Sequence, residues 1–429
     1  MPARAVVLGV LLLTLATPPA AAQTPVDTAQ AVQDSAVRVF LDCPNYYCDL
    51  DFFRTEITFV NYVREPQDAQ VHVLLTTQQT GAGGTEFTLT FLGQKEFAGT
   101  ADTLRHAAPP ASTDDEIRRE IAKILRLGLV RFAARTPVAP HIEISYDAPA
   151  RAAARVRDPW NYWVFRARVN TNLNGEQSYK FVNVNGTISA DRITEDWKIR
   201  FSAREGYNQS AYELPIYDTA GTQTGIDHVT NITRDFNGDV LVVRSLGSHW
   251  SAGWRASASA STYLNQDLRL RTAPAIEYNI YRYAESTRRQ LTLQYQVGIV
   301  RFDYTDTTIY NRTVETRFDQ SLTASLNIIQ PWGSAGMSLE GRAYLHDLRR
   351  NSVQLFGNAS VRLFKGLSVE LFGQISLLHD QIYLAAGGAT STEVLLRRRQ
   401  LETGYSYWAF SGLSYTFGSI YNNIVNPRF

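Results

Sequence analysis

From Asp158 to Phe417, apolar and polar residues alternate with a period of two, often for ten or more residues. Successive side chains of a strand point to opposite faces, so each run makes a strand with one apolar and one polar face. Trp197, Ile199, Phe201 and Ala203 interleave with Lys198, Arg200, Ser202 and Arg204. Val353 to Leu363 and Leu367 to Leu377 repeat the pattern. Twelve segments carry it, near 161–172, 178–192, 195–208, 237–246, 249–264, 267–284, 287–304, 315–329, 334–346, 352–363, 367–379 and 404–417. The fourth is the least regular, because Val240-Leu241-Val242-Val243 does not alternate. Strands of soluble sandwiches and propellers usually run about 5–6 residues, and no blade-length repeat is visible.

Strands of about ten residues with one apolar face are the spanning unit of a membrane barrel, and an even count fits that architecture. Connections after even segments are short: Thr194-Glu195, Leu246–His249, Ala284–Thr287, Pro331-Trp332-Gly333 and Lys365-Gly366. Long ones follow odd segments, at 209–236, 305–314 and 380–403. Short turns on one side and long loops on the other are the asymmetry of outer-membrane barrels, whose short turns face the periplasm. Trp163, Trp197, Trp250, Trp254, Tyr405, Tyr407 and Tyr415 fall on the apolar face, as girdle aromatics do. No stretch approaches 18 consecutive apolar residues, so membrane-spanning helices are excluded. The expected fold class is α+β: a twelve-stranded antiparallel transmembrane β-barrel over 158–418, preceded by a small α/β domain.

Ahead of the alternating region, residues 1–22 read as a cleaved secretory signal. Arg4 precedes the apolar run Ala5–Ala16, and Ala20-Ala21-Ala22 offers small residues for cleavage. Residues 23–36 are a small, polar lead-in. Residues 37–147 then read as β-α-β-β-α-β. Val37–Leu41 forms a strand and 49–57 a helix. Val71, Val73 and Leu75 alternate, as do Phe87, Leu89 and Phe91, across the turn Thr80-Gly81-Ala82-Gly83-Gly84. Thr113-Asp114-Asp115-Glu116 is a capping box opening a helix whose Ile117, Ile121, Ile124 and Leu125 share a face. Ile142–Tyr146 is the last expected strand. The turn at 80–84 lacks G-K-[ST] and precedes a strand, so it is no phosphate loop.

This order resembles the periplasmic N-terminal domain of TolB and the related fold of curli-secretion lipoproteins. The stretch Asp68-Ala69-Gln70-Val71-His72-Val73-Leu74-Leu75-Thr76-Thr77 carries most of the likeness. The resemblance implies a periplasmic domain that contacts a partner protein, and transfers no catalytic residue. Cys43 and Cys48, the two cysteines, are expected to form a disulfide in an oxidising compartment. A metal site would need two more ligands nearby. The last segment ends in Gly412-Leu413-Ser414-Tyr415-Thr416-Phe417, similar to the G-x-x-aromatic-x-aromatic outer-membrane assembly signal. Phe410 stands where that signal has a polar residue. A tail, 419–429, runs on to a second terminal aromatic, Phe429.

The strand phases place Arg166, Arg168, Lys198, Arg200, Arg204, Arg255, Arg342 and Arg362 on the polar, inward face, with Glu277, Asp319, Glu340 and Glu370. Eight bases against four acids favour anions in a pore. A lumen closed by Arg–Glu pairing is the alternative. Asp267, Arg269 and Arg271 share the phase of Glu277 but are left out, because Pro274 interrupts the run.

His249-Trp250-Ser251-Ala252-Gly253 resembles the H-x-S-x-G stretch of outer-membrane phospholipase A. In that family His and Ser lie on the outer surface, whereas His249 and Ser251 have the inward phase, and no orienting third group is evident. No catalytic residue is assigned. Residues 235–239 lack the terminal Glu of a calcium loop, and Arg397-Arg398-Arg399 reads as a solvated outer-loop run.

A net charge of +1 argues against nucleic acid. Aromatics at 11% with charged residues at 19% argue against disorder. The chain is thus expected in a bacterial outer membrane, with its N-terminal domain in the periplasm. Its expected partners are outer-membrane lipid, the barrel-assembly machinery, a periplasmic protein and a small anionic solute, with no cofactor. The functional expectation is a narrow anion-preferring channel; the alternative is a non-catalytic adaptor whose periplasmic domain docks a partner, and an outer-membrane lipid hydrolase ranks third.

Overall fold

The computed structural model describes residues 35–43, 48–81, 83–145, 158–388, 400–421, 423, 426 and 428. The signal segment, most of the lead-in, Arg397–Arg399 and Phe429 lie outside the described residues.

Two sheets organise the chain: a five-stranded mixed sheet in the N-terminal domain and a twelve-stranded antiparallel sheet after it. The first has the order β2-β1-β3-β4-β5, from β1 (Arg38–Asp42), β2 (Asn61–Tyr62), β3 (Val71–Gln79), β4 (Thr85–Gly93) and β5 (Ala101–Ala108). β1 is parallel to β2 and β3; the β3–β4 and β4–β5 pairs are antiparallel. Two helices, α1 (Leu50–Glu56) and α2 (Asp114–Ala133), cover one face. Val39, Val73, Phe87, Leu89 and Phe91 are buried with Phe53, Ile121, Leu125, Leu129 and Phe132. Thr113 and Glu116 form the expected capping box: Thr113 Oγ1 accepts from the Glu116 amide at 3.3 Å, and Glu116 Oε2 from the Thr113 amide at 2.8 Å. Cys43 and Cys48 are disulfide-bonded, their Cα atoms 6.1 Å apart.

The element order departs from the expectation in three places. β5, whose Asp102, Thr103, Arg105 and His106 hide any apolar alternation, takes the sheet edge. Residues 142–145 are not a strand: they do not pair with the outer edge of β5, and Ile144 is exposed. The short β2 adds the opposite edge.

The second sheet holds all twelve expected segments in sequential order. They are β6 (Trp163–Gly175), β7 (Tyr179–Ile193), β8 (Trp197–Tyr217), β9 (Gln223–Ser245), β10 (Trp250–Ser261), β11 (Gln266–Asn279), β12 (Arg289–Tyr304), β13 (Val314–Gln330), β14 (Gly333–Tyr344), β15 (Asp347–Phe364), β16 (Leu367–Leu378) and β17 (Tyr405–Tyr415). Among the described residues, β6 pairs only with β7 and β17 only with β16. The long loop expected at 209–236 is instead a hairpin. β8 and β9 run 21 and 23 residues and turn at Asp218, whose Oδ1 accepts from the amides of Ala220 and Thr222. Polar residues occupy both faces of its distal half, so period two does not reveal it; cross-strand backbone bonds carry it this far, with side-chain contacts such as Tyr179–Tyr212 and Lys180–Glu213 beside them.

Candidate functional site: a charged sheet face and the domain across its end

Cross-strand register decides which side chains meet. One row runs Arg166, Ser189, Ser202, Asp239, Ser257, Arg271 across six strands, β6 to β11. Arg271 therefore shares the face of Arg166. The register is the same on both sides of Pro274, with Thr272 opposite Ile299 and Ala275 opposite Gln296. Arg269 and Arg271, set aside on account of that proline, belong to the polar face. The predicted girdle aromatics lie on the other one: Trp197, Trp250, Trp254, Tyr405, Tyr407 and Tyr415 are exposed, and Trp163 is half-buried between Phe165 and Phe201.

The ion pairs change the charge arithmetic. Arg200 and Arg166 share Asp191 at 2.8 and 3.7 Å. Arg255 binds Asp239 at 2.6 Å, Arg271 binds Asp319 at 2.8 Å, and Arg342 binds Glu340 at 2.8 Å. Arg317 binds Glu315 at 2.6 Å. Asp191, Asp239 and Glu315 lay in phase but were not counted, and each sits beside a base on a neighbouring strand or two residues away. Both counts were too low: Asp191, Asp239 and Glu315 join the acids, and Arg269, Arg271 and Arg317 join the bases. Among the described residues, Arg168, Lys198, Arg204 and Arg269 have no carboxylate within ion-pair distance; Arg204 donates to Asn185 at 3.2 Å, and Arg269 stacks over Phe302 at 5.7 Å. Glu277 accepts from Tyr283 at 2.8 Å and from Gln294 at 3.1 Å, whereas Glu370 has no partner among the described residues.

His249 does not reach Ser251. Its Nδ1 bonds the Asn279 carbonyl at 2.8 Å, while Ser251 Oγ lies 3.2 Å from the Tyr283 hydroxyl. Burial pushes that hydroxyl up to about 12, so it stays protonated and available to Glu277. No base–nucleophile pair is formed here.

The remaining base, Arg362, is held by the N-terminal domain. The face of the five-stranded sheet opposite the helices carries Phe40, Asp42, His72, Leu74, Thr76, Thr88 and Thr90, all buried. That face lies against the short-turn end of the large sheet at three places. At β15–β16, Arg362 donates to both Asp42 oxygens at 2.7 and 2.8 Å and stacks over Phe40 at 5.0 Å. Lys365 pairs with Asp68 at 2.8 Å, and the Gly366 amide donates to Glu65 at 3.1 Å. His72 Nε2 lies 3.1 Å from Asp42. Burial raises the Asp42 pKa, but the bonds from Arg362 and His72 outweigh it and hold the carboxyl below its ordinary value.

At β6–β7, the β3–β4 turn touches the sheet so closely that a Cβ on Gly81 would meet Ile193, and one on Gly83 would overlap the Arg166 guanidinium. Gly83 also has φ +77°, a conformation that favours glycine. The glycines of this turn serve close approach. At β11–β12, Thr88, Thr90, Thr103 and Arg105 face Ala284, Glu285, Thr287, Arg288 and Arg289 across a cavity.

The end of the chain completes the contact. Gly412 faces Glu370 across β16–β17, and Phe417 stacks on Tyr415 with ring centroids 5.7 Å apart. Beyond them the tail turns to the N-terminal domain: the Arg64 amide donates to the Ile420 carbonyl at 3.0 Å, Tyr421 bridges Val63, and Asn423 bonds Tyr62 and Asn61. The contacts of this tail with the N-terminal domain were not legible in the sequence, because each joins segments hundreds of residues apart. Compared with known proteins, the chain matches no family model and no curated sequence.

Proposed function

We propose that the chain is a bacterial outer-membrane β-barrel, closed by pairing of β6 with β17, that works as a narrow anion-preferring channel with its periplasmic N-terminal domain seated across the mouth as a lid. Closure is inferred because exposed strand edges are not tolerated in hydrocarbon. The exposed apolar face with its aromatic residues supports lipid contact, and the terminal Gly412, Tyr415 and Phe417 support handling by the assembly machinery. The observation that carries the lid is the polar face of the five-stranded sheet, which meets the short-turn end at three strand pairs and supplies the counterion of Arg362. Anion preference rests on Arg168, Lys198, Arg204 and Arg269, the bases without carboxylate partners.

Conductance in a planar bilayer tests this. The full chain should pass little current, and a chain lacking residues 35–145 should give steps with an anion-biased reversal potential. The bias should fall when Lys198 or Arg269 becomes Glu. Silence of both chains, with the barrel shown folded by its resistance to unheated detergent, would sink the channel. An adaptor function would then be favoured, with its partner on the helical face, since the other face is occupied.

A further inference from the structure

The cavity between β4–β5 and the β11–β12 turn, about 400 Å³, is lined from both sides by groups that bind oxyanions. The N-terminal domain contributes the hydroxyls of Thr88, Thr90 and Thr103 and the guanidinium of Arg105; the turn contributes Thr287, Arg288 and Arg289. Two of these bases have carboxylates in reach, Arg289 with Glu285 at 2.6 Å and Arg105 with Glu86 at 3.9 Å. Among the described residues Arg288 has none: its guanidinium donates to Gln330 at 3.3 Å, and its Nε is buried without a partner. Thr88, only 3% exposed, likewise has a buried hydroxyl with no partner. An orphaned N–H and an orphaned hydroxyl cost free energy, and both belong to residues that line this cavity. A guanidinium flanked by hydroxyls is the chemistry that recognises phosphate, by charge-assisted bonds to its oxygens.

We propose that this cavity binds a phosphate-type oxyanion, held by Arg288, Arg105 and Thr88, which bridges the N-terminal domain to the large sheet. The cavity exceeds the volume of bare phosphate, so the oxyanion would carry a small organic group. Two sources share this chemistry, a free phosphate ester and a phospholipid headgroup. The site does not depend on the channel reading; it needs only the contact between domain and turn.

The test is calorimetric titration of the refolded full chain, in uncharged detergent at constant chloride, with inorganic phosphate, glycerol 3-phosphate and short-chain phosphatidylglycerol below its micelle concentration. Saturable binding is expected, about tenfold or more weaker in Arg288→Gln, since a charge-assisted bond is lost. Thr88→Val should weaken it less, and Arg288→Lys, which keeps the charge, should restore part of it. Tighter binding of glycerol 3-phosphate identifies a soluble ester, and tighter binding of the lipid a headgroup. No saturable heat with any probe, or heats unchanged in both Arg288→Gln and Thr88→Val, would overturn the site, provided each variant keeps the resistance of the native protein to unheated detergent.

Discussion

Gly128 shows how closely single residues are fitted in the N-terminal domain. It sits in α2 directly over Phe91, and a Cβ there would overlap the aromatic ring. Alanine at an exposed helix position would gain about 1 kcal/mol over glycine. Here overpacking costs roughly 1–3 kcal/mol, so Gly128→Ala should leave α2 no more stable and generally less so. Hydrogen exchange on the full chain should show faster exchange from Ile121 to Phe132, reversed when Phe91 is also changed to Leu. Unchanged exchange in the single variant would mean that the ring moves aside freely. The sequence marked Phe91 and Leu125 as core through their periodicity, yet it gave no sign that Gly128 was the contact point.

Among the elements, β2 is the one most dependent on distant chain. It has two residues, pairs with β1 on one side, and would be an open edge were it not for the tail. Unpaired strand edges invite other strands, and Ile420, Tyr421 and Asn423 cover this one. Removing residues 419–429 should therefore speed amide exchange at Tyr62 and Arg64 while leaving β3 and β4 protected. Unaltered protection at Arg64 would show that the tail contact contributes nothing to the edge. Element identity was largely legible where packing is one-sided. The capping box and apolar stripe of α2, the β3–β4 hairpin and the twelve alternating segments all follow from local pattern. β5 and the distal half of the β8–β9 hairpin were not legible, because neither has an apolar face to imprint a period on the sequence.

At the scale of the whole molecule, Asp42 makes docking of the two parts depend on pH. Its folded pKa lies below the ordinary carboxylate value of 3.8. Its contribution is therefore complete above 3.8 and is lost as pH falls through the lowered value. Protease sensitivity of the full chain should stay constant from neutral pH down to about 5 and rise only in strong acid, below the ordinary value. Asp42→Asn removes one partner of a largely buried pair, at a cost of about 3 kcal/mol, and should raise sensitivity at neutral pH. A transition near pH 6 in the native chain would point to another group as the latch.

What the sequence determined by itself is what depends on neighbours in the chain. A strand shows its two faces within ten residues, so the number, order and polar or apolar sense of the twelve strands of the large sheet could be read from alternation. The two cysteines, five residues apart, could be paired on the same local ground. Tertiary structure alone decided which charges meet and what covers each face. Arg200 and Asp191 become partners through a register between strands, Arg269 and Arg271 join the polar face because the register is unbroken across Pro274, and Arg362 finds its counterion 320 residues away on Asp42. Alternation states that a face is polar; only the packing of distant segments determines whether water, an ion or another sheet lies against it.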